Sequence, residues 1–157
     1  MLEEKTLSKY VSINLLERYK SLSEKFNSKE VLEQIDNAQV LERLKEFNSR
    51  FTFNQKEGFF GLNEQEGNFD FKFNLSLKYG LVEPVVWGKN VFSEDQYGGA
   101  LIRVAKLIQV SMGLKTVERI MYPRFNSYDD LTNIIKVLYG IYEDFKEVII
   151  SKNSNPD

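Results

Sequence analysis

The chain has 157 residues, of which 42% are hydrophobic and 13% aromatic, and its formal net charge is −2. This length is sufficient for one domain with its own core, so residues 1–157 are expected to form a single domain. The absence of Cys and His excludes disulfides, thiolate nucleophiles, Ser–His catalytic pairs and the usual transition-metal ligands. No run of about eighteen apolar residues and no signal-peptide pattern occurs, so a soluble cytoplasmic protein is expected.

Two amphipathic helices are predicted in the first third of the chain. Residues 6–27 and residues 29–48 each carry apolar side chains at spacings of three and four, which is the pattern of one helical stripe. Ser28 is placed to cap the second helix. A joint of only two residues between the helices predicts an antiparallel helical hairpin.

A strand is predicted from Phe69 to Tyr79, where every second residue is apolar. This alternation puts all the apolar groups on one side of a sheet. Short strands are expected around Phe51–Phe53 and Phe59–Leu62, and Glu64–Gly67 is interpreted as a turn. Leu81–Trp87 forms the next strand. Because Pro84 has no N–H to donate, that strand is expected at an edge or to start after the proline.

The second half of the chain is again helical in pattern. Ser93–Gln96 has the form of a capping box, and it is expected to open a helix that ends near Gly113. Residues 114–122 fit either a short strand or a helical turn. Ser127–Asp130 is a second capping box, and it precedes a strongly periodic helix over residues 131–149.

These elements predict an α+β fold. Three or four antiparallel strands form a meander, which the N-terminal helical hairpin and the two C-terminal helices cover on one face. Residues 150–157 are expected to be a frayed polar tail.

No group of residues stands out as a catalytic, cofactor or metal site, so a non-enzymatic protein is predicted. Glu64 with Glu66, and Glu94 with Asp95, are the closest carboxylate pairs, but polar turns do not raise a carboxyl pKa as a general acid requires. The glycines of Gln96–Ala100 let backbone N–H groups approach an anion at a helix start, or simply form a tight turn.

The charge distribution is more informative than the net charge. Residues 51–100 hold four basic and seven acidic residues, a net charge of −3, and this acidic excess lies on the predicted sheet and its loops. It disfavours nucleic acid and favours a basic partner. Trp87, at a strand end, fits either core packing or an anchor in an interface.

The stretch from Gly80 to Ile108, GLVEPVVWGKNVFSEDQYGGALIRVAKLI, resembles small immunity proteins of bacterial polymorphic-toxin and contact-dependent inhibition systems in its general layout. The resemblance implies a cytosolic inhibitor without cofactor, whose acidic loops occlude a basic, nuclease-like toxin domain. Charge asymmetry and turn placement then predict the contact residues, which are Glu64, Glu66, Glu83, Trp87, Glu94, Asp95 and Tyr97.

Two other classes of function stay open at this point. An adaptor or scaffold would bind a protein partner through the same surface without inhibiting it. A small-molecule-binding domain or His-free enzyme would use a pocket between the sheet and the helices. The sequence does not specify the toxin, the oligomeric state or such a pocket.

Overall fold

The computed structural model describes residues 1–153, and side chains as far as Ser151. The predicted α+β class is confirmed, with five helices and one five-stranded sheet within the described residues. The elements in chain order are α1 (Glu4–Ser12), α2 (Leu15–Lys25), α3 (Asn37–Phe47), β1 (Thr52–Asn54), β2 (Phe59–Glu66), β3 (Phe69–Lys78), β4 (Leu81–Asn90), β5 (Gln96–Ala100), α4 (Leu101–Ser111) and α5 (Tyr128–Asn153).

The sheet is an antiparallel meander in the order β1-β2-β3-β4-β5, one strand more than the upper limit of the prediction. The additional strand is β5, whose residues were expected to start a helix. Pro84 lies inside β4. The pairing of β4 with β5 begins only at the next residue, Val85. The proline therefore has no β5 residue opposite it, which accommodates its missing N–H.

The helices cover one face of this sheet. Phe69, Phe71 and Phe73 are buried on that face, whereas the alternate residues of β3 are partly or fully exposed. The ring of Phe73 stacks on Tyr142 of α5 at 5.0 Å, and Phe71 meets Phe145 edge-on at 6.2 Å. The other face, here called the open face, has no fully buried side chain on β3 or β4.

The predicted helical hairpin is wrong in its boundaries. Residues 6–27 are split into α1 and α2 because Asn14 has a left-handed backbone, with φ of 55°. Residues 27–36 are not helical, and the Ser28 hydroxyl accepts from the Glu30 N–H in a local turn. Helix α3 starts at Asn37, because the Asp36 carboxylate accepts hydrogen bonds from the N–H groups of its first turn.

The last helix begins as predicted. The Ser127 hydroxyl accepts from the Asp130 N–H at 3.0 Å, and the Asp130 carboxylate accepts from the Asn126 N–H at 3.3 Å. Residues 114–122 contain neither helix nor strand. The predicted tail over 150–157 is helical to Asn153, and its remainder lies outside the described residues.

Candidate partner-binding surface

The loop between β4 and β5 is held by hydrogen bonds to the side chain and the backbone of one residue, Asn90. The Asn90 carboxamide oxygen accepts from the N–H groups of Phe92 and Ser93 at 2.9 and 3.1 Å. The Asn90 carbonyl accepts from the Glu94 N–H at 2.9 Å, and the Asn90 N–H donates to the Asp95 carbonyl at 2.9 Å. These residues, expected to cap a helix, form a hairpin loop because their flanks pair as strands.

Phe92 stands on this loop with 78% of its surface exposed, next to Val91 at 39%. Glu94 has a φ of 64°, a left-handed conformation that is uncommon for a residue with a side chain. Such strain persists only where the surrounding hydrogen bonds enforce it. The loop therefore holds an apolar ring in water on a backbone that is already ordered.

Three exposed carboxylates lie at the same end of the sheet as Phe92. Glu94 and Asp95 belong to the loop itself, and Glu66 is the last residue of β2. The β2–β3 turn touches the loop, since the Val91 N–H donates to the Asn68 carbonyl at 2.9 Å. Phe92, Glu66, Glu94 and Asp95 are called the loop surface below.

Trp87 lies on the open face, half-buried, and not in the core. Its ring lies 5.2 Å from the Lys72 ammonium, and its indole N–H donates to Gln96 at 3.5 Å. A broad, open depression of about 470 Å³ surrounds it. Its lining residues are Asn63, Glu64, Gln65, Asp70, Phe71, Lys72, Trp87 and Lys89.

Glu64 was predicted to lie in a turn, and this prediction is wrong. It lies within β2, opposite Phe71, on the face that the helices cover. Its carboxylate is 2.8 Å from the Lys146 ammonium and accepts from the Tyr142 hydroxyl at 2.8 Å. Asn48 donates to it at 3.4 Å. The Glu64 and Lys146 side chains are only 10% and 5% exposed, so Glu64 is not part of the loop surface.

The electrostatics of this buried pair have opposing causes. Burial alone would raise the pKa of Glu64, but the hydrogen bonds from Lys146 and Tyr142 and the charge of Lys146 outweigh it, so the pKa is lowered. Burial would likewise lower the pKa of Lys146, yet its bonds to Glu64 and Glu143 raise it. Both groups are therefore held in their charged forms, and the pair links β2 to α5.

Two further predicted contact residues lie apart from the loop surface. Glu83 faces Ser76 near the opposite end of the sheet. Tyr97 packs inward, with its ring 6.5 Å from that of Phe69 and beneath the Lys9 ammonium at 4.9 Å. The seven predicted residues thus do not form one continuous surface, and of them only Glu66, Glu94 and Asp95 are exposed at the end that carries Phe92.

Of the two interpretations of Gln96–Ala100, an anion site or a tight turn, neither applies, because these residues form β5. The Gly98 N–H donates to the Tyr10 hydroxyl at 2.7 Å and is not free to bind an anion. Gly98 has a φ of 84°, and a Cβ there would clash with the Val86 carbonyl. Close strand contact explains this glycine.

No protein-family model, curated protein or solved structure matches this chain. Within residues 1–153, no three acidic side chains come close enough to hold a metal ion. Over the same residues, no helix combines the length and apolar character needed to cross a bilayer.

Sequence reasoning missed Phe92. The signal is a pair of apolar residues, Val91 and Phe92, inside a run of turn-forming residues that begins at Asn90. The capping-box pattern that starts at Ser93 predicted a helix here instead of a loop. An apolar residue just before a helix cap normally packs back on the helix, and this expectation hid the exposed ring.

Proposed function

We propose that the chain is a cytoplasmic, non-enzymatic protein-binding domain, and specifically an immunity protein that occludes the active site of a basic toxin domain. The observation that carries this proposal is the exposed Phe92 on an ordered loop, beside the exposed carboxylates of Glu66, Glu94 and Asp95. The resemblance in layout to immunity proteins adds the toxin class.

The loop surface has the features of an interface anchor. Burying an exposed Phe side chain contributes roughly 1.5–3 kcal/mol. Little of this is lost to ordering, because Asn90 already holds the backbone by four hydrogen bonds. A central aromatic surrounded by polar residues is the typical arrangement of an interface hot spot.

The carboxylates add attraction over distance. Glu66, Glu94 and Asp95 have no cationic partner closer than the Lys146 contact of Glu66 at 3.4 Å, among the residues that the structure describes. Glu66 is thus paired, and the free charge of this surface comes from Glu94 and Asp95; such charge steers association and affects mainly the rate of binding. A nuclease-like toxin, which needs a basic surface to hold its own substrate, would be attracted by its active-site face.

The first experiment tests Phe92. The purified chain is used to capture proteins from a lysate of its native host, in parallel with Phe92→Ala and Tyr79→Ala. Tyr79 is the matched control, since it is also 78% exposed but lies in the turn at the opposite end of the sheet. We expect wild type and Tyr79→Ala to retain the C-terminal fragment of a large secreted protein, and Phe92→Ala to lose about tenfold or more in affinity.

Equal capture by all three proteins would contradict the role of the loop surface. Co-expression then separates an immunity protein from an adaptor. We expect the chain to protect cells that express the captured toxin fragment and Phe92→Ala to fail in protection. Binding without any protection would favour the adaptor.

The second experiment tests the charges. Glu94→Lys with Asp95→Lys should slow association with the partner and flatten its dependence on salt, because the steering term is removed. Stopped-flow measurement at low and high salt provides the rates. Glu57→Lys is the control, because Glu57 is also exposed but lies in the β1–β2 turn. An association rate that is unchanged in the double variant would remove the electrostatic part of the proposal.

A further inference from the structure

A cleft of about 290 Å³ lies between α4 and the irregular segment 114–122, and no residue of the loop surface lines it. Its lining residues are Ile102, Lys106, Gln109, Val117, Glu118, Arg119 and Ile120. This volume is at the lower end of the range for small-molecule sites. The cleft is half-open, so a ligand has direct access.

The side of the cleft formed by segment 114–122 has no regular secondary structure and is held in place by hydrogen bonds to α4. The buried Gln109 carboxamide donates to the Glu118 carbonyl at 3.2 Å and accepts from the Glu118 N–H at 2.7 Å. The Leu114 N–H also donates to the Gln109 carbonyl, at 3.3 Å. An irregular segment that is bonded to a helix in this way is a preformed side of a site.

The chemistry of the cleft is apolar below and cationic at the rim. Ile102 and Ile120 supply apolar surface, and Ile120 is almost fully buried. Lys106 and Arg119 are exposed, and neither forms an ion pair among the residues that the structure describes. Glu118 is the one acidic residue among the described lining residues, and it is paired with Lys20 at 2.9 Å.

The stretch of chain that supplies the lining of the cleft is basic in composition. Residues 101–124 contain five basic residues and one acidic residue, a net charge of +4 in a protein whose net charge is −2. Apolar side chains nearby are exposed as well, namely Met112, Leu114, Val117 and Met121. An uncompensated positive charge beside apolar surface favours a ligand that has both an apolar body and an anionic group.

We propose that this cleft binds a small amphipathic anion, with its apolar body against Ile102 and Ile120 and its carboxylate between Lys106 and Arg119. The proposal goes beyond the partner binding described above and does not depend on it. A bidentate contact from the guanidinium of Arg119 suits a carboxylate in particular.

The test uses anilinonaphthalenesulfonate, an aromatic anion whose fluorescence rises on binding, with octanoate as the competitor. We expect octanoate to displace the dye and to raise the midpoint of thermal unfolding. Octylamine, which has the same apolar chain and the opposite charge, should do neither. Lys106→Gln with Arg119→Gln should weaken octanoate binding about tenfold or more.

Arg103→Gln is the matched control, since it removes one positive charge from the exposed side of α4 outside the cleft lining. Its affinity for octanoate should stay within about twofold of wild type. Circular dichroism checks that each variant is folded. Equal displacement by octylamine, or unchanged binding in the double variant, would overturn the proposal. So would binding to vesicles with anionic lipids without any binding of free octanoate, which would indicate a membrane surface instead.

Discussion

The hydroxyl of Tyr19 is fully buried and has no hydrogen-bond partner among the described residues. Burial raises the pKa of this hydroxyl, and the neighbouring Tyr122 and Glu83 add to the effect. A buried polar group without a partner costs free energy that an apolar group of the same shape does not.

Replacing Tyr19 by Phe should therefore stabilise the protein. We expect Tyr19→Phe to raise the free energy of unfolding by about 1 kcal/mol, because the unpaired hydroxyl is removed and the ring stays in place. Urea titration of both proteins is the measurement. Tyr10→Phe is the opposite control, since the Tyr10 hydroxyl is bonded to Gly98. Destabilisation in both variants would show that the Tyr19 hydroxyl is satisfied.

Glu64 provides a prediction of pH dependence. At pH 7, Glu64→Gln should lower the free energy of unfolding by about 2 kcal/mol, since Lys146 loses its closest partner. The pKa of Glu64 is lowered on folding, so its contribution is complete above the unfolded value of about 4.3. That contribution is lost as the pH falls through the folded-state pKa.

The difference in free energy of unfolding between wild type and Glu64→Gln should therefore shrink as the pH falls below about 4.3, the ordinary pKa of glutamate. Denaturant unfolding between neutral and acid pH measures it. The exposed Glu57→Gln should stay within about 0.5 kcal/mol of wild type throughout. A stability difference for Glu64→Gln that does not vary with pH would contradict the assignment.

At the scale of elements, the turn between β3 and β4 depends on a non-helical segment that sequence patterns did not anticipate. Gly80 has a φ of 73°, and a Cβ there would clash with the side chain of Val31, whose Cγ2 lies 2.9 Å away. The Leu32 N–H donates to the Phe125 carbonyl, and the Phe125 N–H donates to the Gly80 carbonyl. The chain before α3 is thus fixed to the turn by tertiary bonds.

Alanine substitution at two glycines separates strain from clash. Gly80→Ala should cost about 3 kcal/mol or more, since it combines a left-handed backbone with a steric clash. Gly58→Ala has the same sign of φ, 76°, but open space around it, and should cost about 1 kcal/mol. Equilibrium unfolding measures both. Equal costs would show that Val31 can move aside.

At the scale of the whole molecule, one hydrophobic core joins the helices and the sheet. We expect thermal and urea unfolding to be a single transition, with the same midpoint by Trp87 fluorescence and by far-ultraviolet circular dichroism. Trp87 is the only tryptophan and reports on the open face, whereas the dichroism reports mainly on the helices. Separate midpoints would indicate two domains.

The alternation from Phe69 to Tyr79 and the capping box at Ser127 were sufficient to predict β3 and α5, because each is decided by local pattern. Ser93–Gln96 fits a helix cap equally well, but pairing with β4 decides its structure. Likewise, no local pattern links Glu64 to Lys146, which is 82 residues away. The surface at Phe92 depends on such pairing, so neither its central ring nor its geometry could be predicted from local pattern.

The outer side of β2 has a consequence for solubility at high concentration. β1 pairs only with Phe59–Gly61, so Leu62–Glu66 borders no further strand among the residues that the structure describes. A bare strand edge is a template on which a second chain can add and begin a fibril. Glu66, exposed at the end of this edge, carries a charge that an added strand would have to cover. A charge of the loop surface thereby also disfavours the growth of a fibril from β2.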